Sequence, residues 1–340
     1  MLAAAAFPGY ARSMKRRDFL AAASGALAWP IVAPARAQQA TQTIGFLSSR
    51  SPGDSADVVT AFRKGLEETG FIEGRNLAIA FRWAEGRYDR LPALATELVN
   101  MRVSLLFAAG GPPAALAAKA ATPTIPIVFS ATSDPVGTGL VASLNRPGGN
   151  VTGMSVFNAA LGAKRLELLK ELMPAATEMA YLVNPSLPTA NLETPGVRAA
   201  AAALKIKLHD LRASSDDQLE TAFSEATKAH AAALFLGSDP FFDSRLDKLV
   251  AFAAKHALPT CYPWREYVTA GGLVSYGTSL PGSYQQAGIY AGRILKGENP
   301  ADLPVMQPTK FDLAINLKTA KALGIAAPGS VLARADSVIE

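Results

Sequence analysis

The chain has 340 residues, 49% hydrophobic and 18% charged, with a formal net charge of +5. Five of its 33 Lys and Arg and one of its 28 Asp and Glu fall within the first 37 residues, so the remainder carries 28 basic and 27 acidic groups and a charge of +1. That near-neutral remainder gives no electrostatic footing for nucleic acid. One cysteine, Cys261, excludes an intramolecular disulfide, and three histidines on unrelated segments form no metal-ligating set.

In chain order, Lys15-Arg16-Arg17 with Asp18-Phe19-Leu20 supplies a positive n-region, Ala21 to Ala33 a weakly apolar stretch, and Ala35-Arg36-Ala37 the small residues a signal peptidase needs. The stretch is too short and small-residued to anchor in a bilayer. It reads as an export signal over residues 1–37, of the twin-arginine type by its arginine pair, with Met1 or Met14 as the start and Gln38 as the mature N-terminus. With no cysteine at the cleavage point to carry a lipid, a soluble periplasmic protein is expected.

About 300 residues remain, more than one core usually takes, which favours two lobes. Strand-length apolar runs recur at Thr43 to Ser49, Leu77 to Trp83, Leu105 to Ala109 and Ile125 to Ser130, with helical patterns at Ala56 to Thr69, Leu91 to Asn100 and Pro113 to Ala121 between them. After a Gly- and Pro-dense passage, Asp134 to Ser155, the alternation restarts. Strands are expected at Met179 to Val183, Ile206 to Leu211, Ala233 to Leu236, Thr260 to Tyr262 and Leu273 to Tyr276. Helices are expected at Val197 to Leu204, Gln218 to Ala229, Ser244 to His256 and Tyr284 to Lys296. Repeated βαβ units give an α/β fold of two doubly wound parallel-sheet lobes. The expected lobes are residues 38–157 with 282–305, and 158–281 with 306–340, joined by a multi-crossing hinge with a ligand cleft between them.

Five runs carry a family resemblance: Asp134 to Leu144 (DPVGTGLVASL), Arg146 to Gly153 (RPGGNVTG), Lys164 to Leu169 (KRLELL), Ala270 to Leu273 (AGGL) and Gln307 to Lys321 (QPTKFDLAINLKTAK). The chain resembles substrate-binding components of ABC importers of the putative tryptophan/tyrosine transport type. The resemblance implies a type I periplasmic-binding-protein fold, a solute held between the lobes, and delivery to a membrane permease driven by an ATPase. It implies a monomer with no cofactor, and some relatives look built for aromatic amino acids.

Ligands of open α/β sheets bind beyond the carboxyl ends of the strands. Those ends place Ser49, Gly110, Gly111, Ser130 and Thr132 on the first lobe, with the two glycines offering backbone N–H groups at a helix start to a carboxylate. The second lobe contributes Asn184, Ser238 and Asp239, with Trp264, Phe241 and Tyr276 as a candidate aromatic wall. Relatives that look built for amino acids have an acid where Asp239 stands, which implies an ammonium partner; helix capping is the alternative role. Asp134, before Pro135, reads as a cap.

No nucleophile with its base, carboxylate pair or metal motif signals an enzyme, and Gly137-Thr138-Gly139 lacks the βαβ context of a dinucleotide fingerprint. No DNA-reading helix pair precedes Thr43. An exported sensor accessory remains the alternative to a transport role. Mass spectrometry of the exported protein is expected to find its N-terminus at Gln38; an unprocessed cytoplasmic chain would contradict the export signal.

Overall fold

Runs that are apolar at every position can be buried on both faces, and parallel sheets covered by helices use them. In the computed structural model, which describes residues 41–131, 134–156 and 161–340, such runs form two sheets. The export signal and Thr132 lie outside the described residues. The first sheet contains β1 (Gln42–Ser48), β2 (Leu77–Trp83), β3 (Leu105–Ala109), β4 (Ile127–Ala131) and β5 (Val151–Ser155), ordered β2-β1-β3-β4-β5 with every pair parallel. All five residues of β3 are buried. Helices α1 (Ala56–Glu68), α2 (Leu91–Asn100) and α3 (Pro112–Ala121) connect these strands.

The second sheet contains β6 (Glu178–Val183), β7 (Lys207–Arg212), β8 (Leu234–Leu236), β9 (Thr260–Tyr262), β10 (Val274–Gly277), β11 (Asp312–Asn316) and β12 (Ser337–Ile339). Its order is β12-β11-β10-β9-β8-β6-β7. Helix α4 (Gly162–Leu172) leads into it, and α5 (Ala190–Ala203), α6 (Asp216–Lys228), α7 (Pro240–Asp243), α8 (Leu246–Lys255) and α9 (Arg265–Thr269) connect its strands. Helix α10 (Leu280–Leu295) returns to the first lobe, while α11 (Leu317–Ala322) and α12 (Gly329–Leu332) flank the last strands.

Three differences from the sequence expectation have physical causes. Strand β11 pairs antiparallel with β10, Val274 opposite Ile315, because no crossover helix turns it round; it arrives by a direct passage from the first lobe. Helix α5 starts at Ala190 and keeps Pro195 inside, although proline's missing N–H places the sequence-based start after it. The helix expected from Ser244 begins earlier, as the separate short turn α7, because Asp239 caps it and Pro240 fits a first helical position.

The chain passes between lobes three times: beyond β5, between β10 and α10, and ahead of β11. At the third passage Met306 runs beside β5, its N–H donating to Gly153 O at 2.9 Å and its carbonyl accepting from Ser155 N at 2.9 Å. Helix α10 is held to α1 by close backbone approach. A Cβ on Gly65 would overlap the Gln285 carbonyl oxygen, one on Gly288 the Phe62 carbonyl oxygen, and one on Gly292 the Thr69 hydroxyl. Phe62, Phe107 and Tyr284 fill the space beneath, the first two stacked at 4.3 Å and the last edge-on to Phe107 at 5.4 Å. Among the described residues no helix is long and apolar enough to cross a membrane.

Helix propensity alone would have Gly288→Ala stabilise the chain by about 1 kcal/mol. The close contact predicts the opposite sign, a loss of about 1–3 kcal/mol from overpacking, measurable by urea unfolding; a gain would contradict this helix contact.

Candidate functional site

Each sheet places its first strand between its second and third, β2-β1-β3 in one lobe and β7-β6-β8 in the other. Successive crossovers therefore leave in opposite directions, opening a crevice at the strand ends where α/β proteins bind ligands. In the first lobe this switch point carries Ser48, Ser49 and Arg50 beside Gly110 and Gly111. In the second it carries Asn184 beside Ser238 and Asp239. The two meet: a Cβ on Gly111 would lie 3.0 Å from Pro240 Cγ of the opposite lobe.

Asp239 sits in this seam, 3% exposed. Its Oδ1 accepts from Phe241 N at 2.6 Å, capping α7, from Tyr88 Oη at 2.8 Å and from Asn184 Nδ2 at 3.3 Å. Its Oδ2 is buried and takes no hydrogen bond. Burial pushes its carboxyl up to about 6, against the pull of Tyr88, Asn184 and the backbone N–H groups of Phe241 and Phe242. Tyr88 belongs to the first lobe, on the turn after β2, and its oxygen also accepts from Phe241 N at 3.2 Å.

A second cross-lobe link lies four residues on. Asp243 Oδ1 accepts from Trp264 Nε1 at 3.0 Å and Tyr267 Oη at 3.1 Å, and its Oδ2 lies 3.8 Å from Arg50 Nη1. Arg50 also donates to the Asp54 carbonyl at 2.9 Å. Burial raises Asp243 to about 7, the attraction of Arg50 opposing it. Behind Asp239, Glu193 accepts from Ser238 N at 3.1 Å and lies 3.8 Å from Arg165, and burial raises it to about 7. The three acids hold protons more tightly folded than unfolded. Their contribution to stability is therefore largest in acid and falls as pH rises from about 4 through about 7.

Ser49, Gly110, Gly111, Asn184 and Asp239 thus converge on the seam, and Ser49 Oγ is buried without a partner. The glycine N–H groups are spent within the protein, however. Gly110 N donates to Tyr284 Oη at 3.1 Å and Gly111 N to Ser130 O at 3.2 Å, and Pro112 and Pro113 have no N–H to add. Ser130 Oγ turns to Ser283 Oγ at 3.3 Å. Ser238 Oγ points into its own lobe, 3.3 Å from the Arg165 guanidinium. Trp264 reaches the seam only through Asp243. Tyr276 stands apart from it, stacked on Phe311 at 6.1 Å. Asp134 caps its own turn, accepting from Val136 N at 2.9 Å.

Tyr88 and Asp243, which also meet at the seam, are absent from the sequence-based candidates. Applying the strand-end rule to β2 as well as β1, β3 and β4 would have reached Tyr88; nothing in the sequence marks Asp243. Beside the hinge a cavity of about 350 Å³, lined by Val156, Thr278, Ser283 and Met306 among others, borders all three interlobe passages.

Similarity to known proteins agrees with this geometry. A family model described as ABC transporter substrate binding protein matches residues 51–339. A protein of Clostridioides difficile (strain R20291) named tyrosine-binding protein is 29% identical over 262 residues, covering 77% of this chain and 75% of the relative. The structure of an ABC domain in complex with L-Trp from Streptococcus pneumonia aligns with a TM-score of 0.80 at 27% identity, covering 88% of this chain and 100% of the other. The ligand-free, open structure of a substrate binding protein with adhesive properties from Clostridium difficile, also 27% identical, aligns at 0.62, covering 88% and 99%. At the same identity and share of this chain, the fold aligns more closely with the tryptophan complex than with the open form. With nearly all of the chain beyond residue 50 matched, it belongs to the ABC transporter substrate binding protein family.

Proposed function

We propose that this chain is the exported, periplasmic solute receptor of an ABC importer, which takes an amino acid between its lobes and passes it unchanged to a membrane permease driven by an ATPase. One observation carries the amino-acid reading: Asp239 Oδ2, a buried carboxylate oxygen without a donor, at the meeting of both switch points. An ammonium group brings the charge and the donors that this oxygen lacks, as a charge-assisted hydrogen bond. The names of the tyrosine-binding relative and the tryptophan complex support an aromatic amino acid. In this reading the lobes comprise residues 38–157 with 282–305 and 158–281 with 306–340, and bending falls at the three passages between them.

Calorimetry with L-tryptophan and L-tyrosine is expected to show binding that Asp239→Asn weakens by more than tenfold, since losing a buried charged partner typically costs about 2–5 kcal/mol. The amine-free analogue indole-3-propionate is expected to gain nothing from Asp239. Equal L-tryptophan affinity in both proteins would remove the amino-acid reading. The pH dependence has a definite sign: below about 6 the empty site holds a proton that an ammonium must displace. Affinity for the amino acid therefore falls roughly tenfold from pH 7 to pH 5, and Asp239→Asn flattens this slope.

A further inference from the structure

The chain holds Tyr88 with more care than an edge residue needs. The segment leading to it is tied to the end of β1 by three backbone hydrogen bonds: Ala84 N to Ser48 O at 2.8 Å, Glu85 N to Arg50 O at 3.2 Å and Gly86 N to Ser49 O at 2.8 Å. Glu85 and Gly86 take positive φ, 57° and 77°, to make that reversal. The ring packs on apolar residues and is partly exposed, while the hydroxyl reaches across the seam to donate to Asp239 Oδ1 and accept from Phe241 N. With Asn184 and Phe241 N, this fills Oδ1 and leaves Oδ2 as the open acceptor.

We infer that Tyr88 is a positioning residue for ligand recognition, which couples lobe closure to the ammonium-receiving carboxylate: it bonds Asp239 only when the lobes meet, and it directs the incoming charge to Oδ2. The inference rests on the reading of Asp239 as the ammonium partner. An open cleft parts the Tyr88–Asp239 bond and returns Asp239 to water, so it is in the closed form, where burial opposes the charge, that the Tyr88 hydroxyl orients the carboxylate and helps hold it ionised. Burial first, and the neighbouring Asp239 charge second, hold the Tyr88 phenol well above its usual range, so it stays a proton donor throughout neutral pH. Tyr88 is the foremost of the groups that lower the Asp239 carboxyl against burial. The other ionisable groups facing Asp239 are Glu193 behind it and Asp243 on the same short helix, with Arg165 and Arg50 beyond them.

Tyr88→Phe keeps the packed ring and removes only the hydroxyl. Carboxyl-carbon NMR of the unliganded protein in its closed form is expected to show the Asp239 midpoint shifted upward in this variant, which a purely structural role of the ring would not produce. Calorimetry with L-tryptophan at pH 7 is expected to show affinity lowered roughly ten- to a hundredfold, the range for a hydrogen bond to a charged group. The acid limb of binding should move to higher pH by the same shift in midpoint. In an Asp239→Asn background the same substitution is expected to cost far less, because the two residues act through one bond. An unmoved Asp239 midpoint, or the same loss in both backgrounds, would overturn the coupling. If Asp239→Asn alone left L-tryptophan affinity unchanged, the amino-acid reading would fall, while the NMR midpoint would still decide whether Tyr88 controls Asp239.

Discussion

A carboxylate cannot stay ionised in a dry interior unless donors or a cation replace the water it has lost. That constraint acts on Asp239, Asp243 and Glu193, which are all buried around one seam and all raised in pKa by that burial. Asp243 has Trp264 and Tyr267 as donors and Arg50 beside it, and Glu193 accepts from Ser238 N and has Arg165 at 3.8 Å from its unbonded Oε1, whereas the unbonded Oδ2 of Asp239 has no cation beside it. A site that must receive a cation keeps such an acceptor incompletely satisfied, at a cost in stability. The cost explains why so much hydrogen bonding converges on a four-residue helix, α7. It also explains why closing the lobes matters, since closure excludes the water that would otherwise solvate Asp239.

The rest of the architecture delivers the two switch points to that seam. In the first lobe the glycine-mediated approach of α1 and α10 fixes the returning segment against the sheet that carries Ser49 and Gly110. Tyr284, near the start of α10, accepts from Gly110 N, so the hinge helix touches the binding edge directly. In the second lobe Arg165, on α4, crosses the interior to Ser238 and lies over the Phe235 ring, 5.5 Å from its centroid, bracing the strand end from which Asp239 emerges. Structural and candidate-site residues are thus neighbours in space, and substitutions at one are expected to be felt at the other.

The two-lobe α/β plan was legible because its central strands have no polar face: Leu105 to Ala109 is apolar throughout, a pattern that fits only a sheet covered on both sides. The last strands were not legible. Asp312–Asn316 is short, polar at both ends and antiparallel to its neighbour, so neither composition nor the βαβ rhythm marks it. At the seam, the strand-end rule brought together Ser49, Gly110, Asn184 and Asp239 because it depends on topology. It said little about the direction of each side chain, and Ser238 turned inward to Arg165 while Tyr276 turned away to Phe311. Tyr88 and Arg50 owe their roles to partners on the opposite lobe, 151 residues away for Tyr88. Such pairings come from lobe closure and have no local sequence signature.

The most direct measurement counts protons. Calorimetry of L-tryptophan binding near pH 6, in two buffers of different ionisation enthalpy, separates proton release from the heat of association. With Asp239 at about 6 in the empty closed site, binding of the ammonium should expel about half a proton per ligand at that pH and almost none at pH 8, and Asp239→Asn should abolish the difference. Tight binding with no proton release at pH 6, or with proton uptake, would show that the ligand's charge is not received by Asp239.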